Sequence, residues 1–156
     1  MVKKFIIIIS VVILGLVAFS YFNLPAHAPS TDQLADQNQN ILSINGIEIT
    51  VEIADDPNEQ SQGLSGRESL APDSGMLFVF PQPTMPGFWM KDMKFSLDLI
   101  WIDEGGKIIE ITKNISPTTY PETFLPPSPI KYVLEINAGW ADNNNIKVGD
   151  IVSLQI

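Results

Sequence analysis

The chain of 156 residues has no cysteine and one histidine, His27. The first absence excludes disulfides, thiol nucleophiles and Cys-based zinc or iron–sulfur sites. The second argues against a Ser-His-Asp triad, a histidine general base and a His-rich metal site, because His27 precedes the body of the chain. No metal and no cofactor are therefore expected. Positive charge is scarce too: nine Lys and Arg stand against eighteen Asp and Glu, a formal net charge of −9. Two of those cations, Lys3 and Lys4, sit at the extreme N-terminus, so the remainder is more acidic still. Nucleic-acid affinity rests on Lys and Arg neutralising phosphates, which makes nucleic acid an unexpected partner. Twelve prolines favour loops and short elements over long helices.

One long hydrophobic run is present. Residues 5–22, FIIIISVVILGLVAFSYF, carry no charge and as a helix would span roughly 27 Å, close to a bilayer core of ~30 Å. Lys3 and Lys4 are expected to stay cytoplasmic, which sends the rest of the chain outward. Ala26-His27-Ala28 has the small-x-small form of a signal-peptidase site. Against cleavage stand the length of the apolar run and Pro29, which would follow the cut. A retained single-pass anchor in the cytoplasmic membrane is the preferred reading, with secretion after cleavage near Ala28 as the alternative. Residues 1–24 are thus assigned to the anchor or signal segment, and 25–40 to a flexible linker too poor in apolar residues to fold. The domain proper is residues 41–156.

Within that domain, Ile41–Ile44 and Ile47–Ile53 flank Asn45-Gly46, a hairpin with a type I′ turn. Asp56 and Pro57 open a short helix that runs to about Gly63. Gly75–Phe80 is a buried strand expected to end at Pro81, and 82–87 a loop. Leu97–Ile102 and Lys107–Ile111 make a second hairpin. The five prolines between Ser116 and Lys131 mark an irregular loop. Tyr132–Asn137 is a strand, Ala138–Asn143 a helical turn, and Ile151–Ile156 a last strand. The fold class is mainly β: a small barrel- or sandwich-like domain of about seven strands with two short helices.

Several segments resemble, in order, the motifs of one family. They are Gly63-Leu64-Ser65-x-Arg67-x-x-Leu70, Gly75-Met76-Leu77-Phe78-x-Phe80 and Phe88-Trp89-Met90-Lys91-Asp92-Met93, followed by Leu97-Asp98, Leu134–Gly139 and Ile146–Asp150. The family is domain of unknown function 192, and the likeness covers residues 47–154. One departure is Asp92-Met93, where the family more usually has Asn-Thr. The resemblance implies a compact β-rich fold, often behind a signal or anchor segment, and no particular activity.

The charged residues set among apolar neighbours are the candidate site. Asp98 shares a strand face with Ile100 and Ile102, where an ionised carboxylate is costly unless paired. It is either a general acid or base, or an anchor to Lys91 or to amides of the 92–96 turn; the anchor is preferred. Glu135 and Asn137 share a face with Val133. Arg67 is expected to pair with Glu135 or Asp98 through its planar fork, or to await an anionic ligand. Lys91 is either a ligand contact or a surface lysine. Trp89, Trp101 and Trp140 suggest a stacking platform, against core positions for these large rings. The expectation is a non-enzymatic, membrane-anchored extracytoplasmic module. It would bind a small ligand, an envelope polymer or a protein partner in a cleft edged by Arg67, Trp89, Lys91, Asp98, Glu135 and Asn137. The alternative is a hydrolase of envelope glycans that uses Asp98 and Glu135 as its carboxylate pair.

Overall fold

The computed structural model describes residues 40–155, so the apolar run 5–22 lies outside the described residues. Among the described residues no helix is long and apolar enough to cross a membrane. Strands β1 (Asn40–Ile44) and β2 (Ile47–Ala54) form the expected hairpin. At its tip Asn45 and Gly46 take φ of 53° and 81°, the left-handed pair that a type I′ turn demands. Helix α1 (Pro57–Gln62) starts where Asp56 accepts from the N–H groups of Asn58 and Glu59, at 2.7 and 2.9 Å. Pro57 occupies the first turn, where an N–H would have no intrahelical partner. Then come β3 (Ser74–Thr84), β4 (Leu97–Ile102), β5 (Ile108–Ile115) and β6 (Ile130–Asn137). Helix α2 (Trp140–Asn143) and β7 (Val152–Gln155) complete the order.

The seven strands make one sheet, β5-β4-β6-β3-β2-β1-β7, in which only β2 and β3 run parallel. The sheet curls into a half-barrel. Its two edge strands approach where Lys107 bridges Ile151 and the Ile108 N–H donates to the Asp150 carbonyl at 2.9 Å. The inside is filled by Leu42, Ile49, Leu77, Ile100, Ile136 and Val152 with their neighbours. A second cluster, including Phe78, Phe88, Leu99, Trp101 and Val133, covers the outer face of the central strands. Strand β4 is buried at all six positions because both of its faces are covered.

The outer cluster needs a roof, and two loops provide it. Phe88 and Phe124 exchange backbone hydrogen bonds at 2.9 and 2.8 Å, which ties the segment before β4 to the proline-rich loop before β6. Gly87 permits this contact: a Cβ there would sit 2.7 Å from Thr123 Cγ2.

Strand β3 does not end at Pro81; it continues through Pro81 and Pro83 to Thr84. Pairing with β2 stops at Phe78, and the register to β6 shifts between Val79 and Thr84. The missing proline N–H groups therefore break no ladder bond, which is where a strand tolerates proline.

Candidate functional site

The segment after α1 is sewn to the turn after Met90. Ser65 Oγ donates to the Lys91 carbonyl at 2.9 Å, and the Gly66 N–H donates to the Asp92 carbonyl at 2.9 Å. Asp92 has φ 57°, a left-handed conformation that short polar side chains such as Asp and Asn accept. Beneath this seam, on the outer face of the sheet, lies a cavity of about 240 Å³. Leu64, Phe78, Phe80, Phe88 and Met93 make its apolar wall, and residues 60–63 and 65 its polar side. Trp89 stands at the mouth, 52% exposed. Gly63 must be glycine: its φ is +51°, and a Cβ would lie 3.3 Å from Phe78 Cζ and 3.6 Å from Glu135 Oε2.

Glu135 is the one ionisable residue lining the cavity. It is 7% exposed, and its Oε2 is buried with no hydrogen-bond partner. Its neighbours in register are Leu99 on β4 and Met76 on β3, both apolar. Burial pushes its carboxyl up to about 8; the Leu64 backbone N–H and the Arg67 charge oppose the shift without cancelling it. At neutral pH the group is therefore mostly a neutral acid, held at the edge of the cavity.

Arg67 pairs with neither Glu135 nor Asp98. It grips Glu52 through two hydrogen bonds of 2.5 and 2.7 Å. Glu52 projects from β2 in the register row of Met76, which is also the row of Glu135. The Arg67 hydrogen bond and charge hold Glu52 below the usual carboxylate range against the opposing effect of burial. The Arg67 charge thus reaches Glu135 only from a distance.

Asp98 is an anchor, with different partners from those expected. It is fully buried, and its two oxygens accept from the N–H groups of Asn114 at 2.8 Å and Ala141 at 3.1 Å. The second bond supplies the N-terminal cap of α2, whose own cap residue, Gly139, has no side chain to offer. Asp98 pairs in register with Ile136, whereas Glu135 pairs with Leu99. The two carboxyls therefore point to opposite faces of the sheet and cannot flank one bond.

Asn137 is likewise structural: its amide donates to the carbonyls of Leu70 and Ala71, both at 3.1 Å. Lys91 is exposed and contributes its carbonyl to the seam. The tryptophans form no platform. Trp101 is fully buried and donates to Thr112 at 2.8 Å, while Trp140 is 6% exposed and donates to Asp73 at 2.8 Å. Of the six expected site residues, only Trp89 and Glu135 line the cavity. The rest of its lining, above all Gly63, Leu64, Phe78 and Phe88, reads in sequence as core or turn. No periodicity separates a cavity wall from a packed interior. Among the described residues no group of three or more His, Cys, Asp or Glu side chains is placed to hold a metal ion.

Two solved structures share this fold. One is a Sinorhizobium meliloti 1021 protein, provisionally described as a transcription regulator. It is 33% identical with a TM-score of 0.71, over 75% of this chain and 94% of that one. The other, a protein of unknown function from Novosphingobium aromaticivorans DSM 12444, is 31% identical with a TM-score of 0.69, over 72% of this chain and 83% of that one. No curated protein matches. The family model of domain of unknown function 192, described as an uncharacterized ACR, matches residues 40–154. The chain belongs to that family, DUF192.

Proposed function

We propose that residues 40–155 form a non-enzymatic binding module that takes a small ligand into the cavity between residues 60–65 and 86–89. The apolar run 5–22 would carry the module on the outer side of the cytoplasmic membrane. The observation that supports the reading is the unpartnered, buried Oε2 of Glu135, the one ionisable side chain that lines the cavity. Buried polar atoms are nearly always satisfied, and one left open beside a cavity is an orientation point for a ligand. The hydrolase alternative loses its carboxylate pair, because Asp98 and Glu135 face opposite sides of the sheet. An envelope polymer or a protein partner would have to engage the same mouth through Trp89. The regulator description of the Sinorhizobium relative is not carried over, since a net charge of −9 opposes binding to a phosphate backbone.

The fragment 40–156 suits the test. Both hydrophobic clusters lie within it, and the Sinorhizobium chain, 94% covered, is little more than this domain. Its thermal unfolding is measured against sugars, cell-wall fragments, amino acids, amines, nucleotides and divalent cations, beside Ser61→Trp, which obstructs the cavity from an exposed lining position. A ligand at 100 times its Kd adds ~2.7 kcal/mol, a rise on the order of 10 °C for a domain of this size. A rise abolished by Ser61→Trp supports the cavity; one retained in the variant, or none across the panel, removes it. For the anchor, full-length chain that washes out of membranes at high salt would refute the proposed tether.

A further inference from the structure

Resting on the cavity reading above, we infer that the ligand is a compact primary or secondary ammonium, its N–H cation seated between the Glu135 carboxylate and the aromatic wall of Phe78, Phe80, Phe88 and Trp89. The chemistry of the lining selects this class. No Lys, Arg or His lines the cavity, so an anionic ligand would meet a carboxyl with no countercharge. A hydroxyl ligand would satisfy the hydrogen bond of Oε2 but could not balance the charge of an ionised carboxyl. An ammonium supplies both the hydrogen-bond donor and the charge that a buried carboxylate requires. Nearby aromatic rings favour a cation over an anion.

The wall is set before any ligand arrives. Phe78 and Phe88 meet edge-to-face, centroids 4.8 Å apart at 79°, and Phe88 meets Trp101 in the same way at 5.4 Å and 87°. Size points to a small ligand: about 240 Å³ falls below the roughly 300–1,000 Å³ of pockets for drug-sized molecules. The surrounding charge agrees, since a body with net charge −9 concentrates cations near its surface. The neighbouring cation, Arg67, is held by Glu52 through two hydrogen bonds and does not serve Oε2.

Binding of this kind moves a proton. Free Glu135 is mostly protonated at neutral pH. When the ammonium enters, the carboxyl O–H proton leaves to solvent and the carboxylate pairs with the ligand, whose own N–H bonds stay intact. The charged groups around the carboxyl are Arg67 and Glu52, already paired on the β2 side, and Lys91 and Asp92, exposed on the turn above. The β3 and β4 neighbours, Met76 and Leu99, are neutral. Glu135 is therefore the group that titrates against the ligand.

The test is calorimetric titration of the fragment 40–156 with butylammonium, benzylammonium and tetramethylammonium, beside the uncharged pentan-1-ol and benzyl alcohol. It is run at pH 6, 7 and 8, in phosphate and in MOPS, a buffer with no primary or secondary amine. The primary ammonium ions are expected to bind about tenfold tighter at pH 7 than at pH 6 and about fivefold tighter again at pH 8, and to release about 0.9 proton per ligand at pH 7. The alcohols, and tetramethylammonium without an N–H, bind at least tenfold more weakly. Glu135→Gln keeps the shape of the side chain, and is expected to lose the proton release and the preference for charge. Alcohols binding as tightly as ammonium ions would overturn the ammonium assignment and leave the cavity standing. So would ammonium binding unchanged by pH or by Glu135→Gln. Failure of both series at 10 mM would overturn it as well, and only an equally silent broader panel would then remove the cavity.

Discussion

Replacing Glu135 by Gln should make the domain more stable, by an amount set by pH. The carboxyl titrates near 4.5 when the chain is unfolded and near 8 when it is buried in the fold. Below both values each state is protonated and the group is neutral to stability. Between them the unfolded chain ionises while the folded one holds its proton, so stability falls by up to ~1.4 kcal/mol per pH unit. Above pH 8 the folded carboxyl ionises as well, and the loss levels off. Set against Glu135→Gln, the penalty works out at about 1 kcal/mol at pH 5, about 3 at pH 7 and about 4–5 at pH 8–9. Gln keeps an acceptor for the Leu64 N–H and cannot ionise. Urea unfolding of fragment 40–156 and its Glu135→Gln variant at pH 5, 6, 7, 8 and 9 measures the difference directly, and the other carboxylates cancel. Parallel profiles, constant to within about 0.5 kcal/mol, would show that Glu135 ionises normally, and the proton-linked capture of an ammonium would fail with it.

Three further outcomes follow from single contacts. Asp98→Ala leaves the N–H groups of Asn114 and Ala141, the second of them buried, without an acceptor and is expected to cost at least ~2 kcal/mol, with Asp98→Asn recovering about half because one oxygen remains; urea midpoints decide. Asn137→Ala removes both amide bonds to the Leu70 and Ala71 carbonyls, an expected ~1–2 kcal/mol, with faster amide exchange in residues 68–73 than elsewhere. Arg67→Lys loses the two-pronged grip on Glu52, yet the pair is exposed enough that stability should change by less than ~1 kcal/mol; NMR titration of Glu52 should show its carboxyl returning toward the usual range.

Much of the fold could be read from local pattern. The Asn45-Gly46 turn, the Asp56 cap with Pro57 behind it, and the alternation of β2 and β6 are short-range features, governed by φ preferences and a period of two. The site was legible only in its suspects. Sequence singled out Glu135 and Trp89 as unusual in their settings, and marked Asp98, Arg67, Lys91 and Asn137 on the same grounds. The same rule, a polar group in apolar company, marks an anchor and a ligand contact alike.

Sequence alone determined which residues share a face within a strand, where the chain turns, and that the domain is acidic and free of thiols. Only the tertiary structure decided what stands opposite each polar group. Strand order is nonlocal: β6 inserts between β4 and β3, which brings Asp98 and Glu135 onto adjacent strands one register position apart. Because side chains alternate along a strand, that single step turns them to opposite faces. Asp98 meets two backbone N–H groups and becomes part of the frame. Glu135 meets a cavity, and one of its oxygens is left without a partner.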